Sequence, residues 1–166
     1  MSAEQLIQTL GKILLLHKSF NQLAKQKTEF IKVGDTDALH NLLKEERKHI
    51  QAIQKFEMER LQISKAFLSK FNCTEKDNPT ISDCIELANP KEKQKLTQIK
   101  ADLQVQVKEL ADRNALNQQL LKQSIQFVKL SLDLLMPEID TYNYERPGPG
   151  QAHQYEEGRS IFNSKA

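Results

Sequence analysis

The chain contains no tryptophan, very little valine, and only five glycines and five prolines in 166 residues. Sheets draw on β-branched and aromatic residues, so these scarcities exclude a β-rich fold and point to long helices. Charge of one sign is missing as well, because 24 basic and 22 acidic residues are mixed along the same segments to a net of +2. Without a basic stripe interleaved with aromatics there is no nucleic-acid footprint. No long apolar run occurs near the start, where Ile13 to Leu16 is too short for a signal peptide or a membrane span. A cytosolic (cytoplasmic) location is therefore expected. The only cysteines, Cys73 and Cys84, lie in or beside a polar connecting segment and lack C-x-x-C spacing. They read as free thiols in a reducing compartment, with a disulfide between them as the minor alternative.

The usual equipment of catalysis is also missing. There is no glycine-rich phosphate loop, no G-x-S-x-G elbow and no reactive-cysteine context, so neither enzymatic activity nor a cofactor is expected. Glu46-Arg47-Lys48-His49 has the E-x-x-H spacing of a di-iron ligand pair. Such a centre needs a second motif and two further carboxylates on facing helices, which the last long helix lacks. Glu46 and His49 are expected to form a solvated pair, and His17 to be a core or partly exposed histidine, with no metal at either place.

What is present is helical periodicity. Leu6, Leu10, Ile13, His17, Phe20, Ala24, Lys27 and Ile31 follow one another in steps of four and three, a coiled-coil-like seam over about four heptads. Gly34 offers a left-handed helix stop, and Asp35 or Thr36 can cap the next start. The second helix takes its inner face from Leu39, Leu42, Leu43, Ile50, Ile53, Phe56, Leu61, Phe67, Leu68 and Phe71. Glu46 or Glu57 on it is expected to meet a cation or amide of a neighbouring helix, because polar seam residues fix register. Thr80-Ile81-Ser82-Asp83 resembles a capping box, and Asn89-Pro90 reads as N-cap and first position of the last helix. The expected fold is all-α: an elongated antiparallel bundle of three long helices, a short extra helix before the last, and a flexible C-terminal tail. Helices are expected at about 2–33, 36–71, 81–88 and 90–136, in a domain over 1–137 followed by a tail over 138–166.

The last helix carries more apolar surface than one neighbour can cover. Leu96, Ile99, Leu103, Val107 and Leu110 form a narrow stripe that continues as Leu121, Ile125, Val128, Leu132 and Leu135. From Leu116 a second stripe opens through Leu120, Phe127, Leu130 and Leu134. Together the two span roughly 220° of the circumference, against about 100° for an ordinary amphipathic helix. Two readings follow: both stripes pack inside a three-helix bundle, or one is filled by a helix from another chain at i, i+3, i+4, i+7 spacing.

Several local features, in their order and spacing, resemble the FlgN family of flagellar export chaperones. They are the heptad-like first helix, Gly34-Asp35-Thr36-Asp37-Ala38-Leu39, Glu57-Met58-Glu59-Arg60 and Asn114-Ala115-Leu116-Asn117-Gln118-Gln119-Leu120-Leu121. The tail tyrosines with following glycines and the ending Ile161-Phe162-Asn163-Ser164-Lys165-Ala166 complete the set. The resemblance implies a cytosolic chaperone that binds the hook-filament junction proteins FlgK and FlgL, prevents their premature association and delivers them to the type III export apparatus. It implies client contacts at Leu116, Leu120, Leu121, Phe127, Val128, Leu130 and Leu134, and docking to the export gate or ATPase complex through Tyr142 or Tyr144. In the client-free state the exposed stripe is expected to be covered by a second copy of the protein, as a homodimer, or by the tail or the short helix folding back. The alternative is a structural or regulatory coiled-coil homo-oligomer with no secretion client.

Overall fold

A computed structural model describes residues 3–71 and 78–135. Among the described residues there are four helices and no strand: α1 (Ala3–Val33), α2 (Thr36–Ser69), α3 (Ile81–Leu87) and α4 (Pro90–Leu135). The chain divides into two units, Met1–Phe127 and Val128–Ala166. Cys73, Tyr142, Tyr144 and the tail over 138–166 lie outside the described residues.

Each helix boundary has a local chemical cause. Gly34 sits at φ 71°, where a side chain would be strained. Its N–H donates to the Ile31 carbonyl at 3.3 Å and that of Asp35 to Phe30 at 3.0 Å, which closes α1 as a Schellman motif. Asp35 Oδ1 then accepts from the Ala38 N–H at 2.9 Å and opens α2. At α3 the capping box is complete, with the Asp83 N–H donating to Thr80 Oγ1 and the Thr80 N–H donating to the Asp83 carboxylate. Asn89 and Glu92 repeat the arrangement ahead of α4, the Glu92 N–H donating to Asn89 Oδ1 at 2.9 Å and the Asn89 N–H reaching back to the Glu92 carboxylate.

The first unit holds one core, built from Leu6, Leu10 and Ile13 of α1, Ile63, Phe67 and Leu68 of α2, Cys84 of α3, and Leu96 and Leu103 of α4. Burying each such side chain contributes about 1.5–3 kcal/mol. Cross-helix contacts set the directions. Thr9 meets Glu59, Ser19 meets His49 and Lys27 meets Glu46, so α1 and α2 run antiparallel. Asn21 meets Gln106, Lys25 meets Glu109 and Thr28 meets Asn117, so α1 and α4 run in the same direction.

The expected faces needed adjustment. Asn21 and Thr28 are buried on α1, whereas Phe20 and Lys27, the expected seam positions, are only half-buried. The reason is that α1 faces two helices: Phe20 and Lys27 look toward α2, and Asn21 and Thr28 look toward α4. Leu43, Ile50 and Phe71 stand exposed rather than inside. Leu43 and Ile50 lie at the edge of the stripe that Leu42 and Glu46 bury, about 80–100° round the helix from Leu42. Phe71 lies two residues past the end of α2, beyond its C-cap Lys70.

Candidate functional site

Asn117 positions the second half of α4. Its side chain is 2% exposed. Its amide donates to the Ala24 carbonyl at 3.0 Å, and its Oδ1 lies 2.7 Å from the Thr28 hydroxyl. That hydroxyl is also 3.1 Å from the Ala24 carbonyl and can donate to only one acceptor at a time. Two turns earlier on α1, the Asn21 amide donates to the Gln106 backbone and side-chain oxygens at 3.0 and 2.9 Å. Buried polar groups without such partners would cost about 1–3 kcal/mol each, so these bonds select one register of α4 against α1. α1 ends at Val33, little more than a turn after Thr28, whereas α4 continues to Leu135.

Around that anchor the two stripes behave differently. In the first unit Leu120 and Leu121 are half-buried and Leu116 is at the border of exposure, while Phe127 is 70% exposed. In the second unit Val128, Leu130 and Leu134 are all exposed, Leu134 at 77%. Leu121 and Val128 fall on the same side of the α4 wheel as Leu96 and Leu103; Leu116, Phe127, Leu130 and Leu134 fall on the opposite side. The narrow stripe therefore divides along its length: Leu96 and Leu103 are buried, but Ile125, Leu132 and Leu135 are exposed. Val105, absent from either expected stripe, is 61% exposed. Val107 is exposed because it borders a cleft of about 520 Å³ that also takes Ile13, His17, Glu57 and Ile81 into its lining.

The residues weighed for metal chemistry have other work. Glu46 is buried, not solvated as expected, and pairs with Lys27 of α1 at 2.9 Å; this is the cross-helix cation that its seam position called for. Glu57 instead pairs with Arg60 on its own helix at 2.7 Å. His49 lies with Nδ1 2.9 Å from the Glu45 carbonyl and Nε2 2.8 Å from the Ser19 hydroxyl, one nitrogen donating and the other accepting. No cluster of three potential ligands occurs among the described residues. His17 is half-buried, with no hydrogen-bond partner for its buried Nδ1. Burial pulls its pKa below the ordinary 6.5, against a smaller opposing influence from Glu57. Cys84 is a free thiol inside the core, and burial pushes its pKa up, which leaves it a poor nucleophile. No helix among the described residues is long and apolar enough to cross a membrane.

The comparisons agree with an interaction protein. A family model described as FlgN protein matches residues 1–151. The chain is 34% identical, over the full length of both sequences, to the uncharacterized protein YvyG of Bacillus subtilis (strain 168). No solved structure matches it. With the family model spanning the four helices and most of the sequence, the chain belongs to the FlgN family.

Proposed function

We propose that this protein is a cytosolic flagellar type III secretion chaperone that holds the C-terminal amphipathic helices of FlgK and FlgL and delivers them to the export apparatus. Membership of the FlgN family supports a flagellar export chaperone role. The observation that carries the reading to particular residues is the exposure of Phe127, Leu130 and Leu134 on α4. Apolar side chains spaced i, i+3 and i+7 are what a helix-in-groove partner engages. The mechanism needs no bond-making step. Client and chaperone exchange apolar surface, and release at the export gate requires that the affinity stay moderate. Tyr142 or Tyr144 docks the loaded chaperone to that gate.

Titration of the full chain with a synthetic peptide of the FlgK C-terminal helix tests this reading. Phe127→Asp and Leu134→Asp should keep the helix content and weaken binding at least ~30-fold, about 2 kcal/mol, as expected for central apolar anchors. Leu103→Asp should unfold the first unit, because a carboxylate would replace a core leucine. Tyr142→Ala and Tyr144→Ala, measured alongside, should bind the peptide normally, and one of them should fail to bind the gate. If wild-type protein ignores the peptide, or if Phe127→Asp and Leu134→Asp both unfold, the client assignment is wrong.

A further inference from the structure

On the outward side of α4, within the first unit, there is a depression of about 540 Å³ lined by Val105, Lys108, Glu109, Asp112, Arg113 and Leu116. These positions are two overlapping sets at i, i+3, i+4 and i+7, the spacing by which four side chains of one helix form the hole that receives a knob from an opposing helix. Val105 and Leu116 are its apolar ends. They are eleven residues apart, and eleven residues bring a straight helix back to nearly the same face. Phe127 repeats the interval, so the outward stripe starts three turns earlier than Leu116.

The charges around this hole narrow the choice of occupant. Glu109 is drawn to Lys25 of α1 at 3.0 Å, and neither Lys108 nor Arg113 has an ion-pair partner among the described residues. When Val105, Glu109, Asp112 and Leu116 are taken as the seam, Lys108 and Arg113 occupy the two flanking positions that choose a partner by charge. A second copy of this chain would bring cation against cation there in either orientation. A helix whose apolar knob enters between Val105 and Leu116, and whose carboxylates lie over Lys108 and Arg113 and clear of Asp112, complements it. We infer that the client-binding face of α4 begins at Val105, and that the hole between Val105 and Leu116 receives an apolar side chain of the client helix whose neighbouring acidic residues meet Lys108 and Arg113. This inference rests on the client reading proposed above.

The test uses the full chain and the FlgK C-terminal helix peptide, with Leu134→Asp as reference. Val105→Asp, at an exposed position, and the double variant Lys108→Glu/Arg113→Glu should each lower affinity about tenfold or more without loss of helix content. The double variant should also lose most of the salt dependence of binding. If Leu134→Asp weakens binding while Val105→Asp and the charge-reversed variant stay within twofold of wild type, the inference is overturned and the client reading stands. If wild-type protein binds no peptide, both fall. Should Val105→Asp lose helix content, the charge-reversed variant decides alone.

Discussion

His17 is a half-buried histidine whose protonation ties stability to pH. His17 sits at the margin of the cleft beside Ile13, Glu57 and Ile81, and burial depresses its pKa below 6.5. The unfolded chain then binds a proton more readily than the folded one just below that value. Stability from the neutral ring is complete above pH 6.5 and is lost as pH falls through the window down to the depressed pKa. Thermal melts of wild type should show this decline, and His17→Gln should flatten it over the same window. An unchanged pH profile in the variant would show that other groups carry the acid sensitivity. The sequence placed His17 on the first helix's seam, but the sign of its shift depends on desolvation by side chains from several helices. Asn21, Thr28 and Asn117 were harder to read for a simpler reason. A hydrophobic pattern registers apolar residues, and these three hold the seam by hydrogen bonds, Thr28 and Asn117 to each other and the Ala24 carbonyl, Asn21 to Gln106.

At the level of elements, helix starts and stops were the most legible feature, because each is written in a few adjacent residues: Gly34-Asp35, Thr80 with Asp83, and Asn89-Pro90. The division of α4 was legible in part. Its two stripes follow from periodicity alone, but where cover ends depends on the register fixed by Asn117. That seam can be tested as a pair. Asn117→Ala removes the partner that the Thr28 hydroxyl and the Ala24 carbonyl share, leaving that hydroxyl only the Ala24 carbonyl to donate to, and should cost about 1–3 kcal/mol in denaturant unfolding. The combined Thr28→Val/Asn117→Leu variant removes both polar partners while keeping the volume, and should recover most of that loss. Failure of the pair to recover would mean that Asn117 acts through shape rather than through its hydrogen bonds. Lys27 and Glu46 perform the equivalent role between α1 and α2, a mostly buried ion pair whose position was foreseeable from a polar residue on an apolar seam.

For the whole molecule the exposed apolar side chains of α4 pose a problem of their own. Phe127, Leu130 and Leu134 share one side of its wheel and are exposed, as are Val128 and Leu132 on the other, and exposed apolar side chains gathered on one face mark an interaction site and an aggregation hazard. Fully covering one of these side chains is worth about 1.5–3 kcal/mol, so a client-free chain gains by pairing. The cationic flanks at Lys108 and Arg113 disfavour self-association through the Val105–Leu116 hole, which leaves the end of α4 as the surface two copies would share. Sedimentation velocity should therefore show concentration-dependent dimers of the client-free protein. Leu134→Asp should make it monomeric, Lys108→Glu/Arg113→Glu should leave the dimer intact, and added FlgK helix peptide should dissociate it by competing for the same side chains. A dimer that persists under saturating peptide would place self-association on a different surface from the client. A monomer at every concentration, with strong binding of an apolar dye, would show that the face is left open until the client arrives.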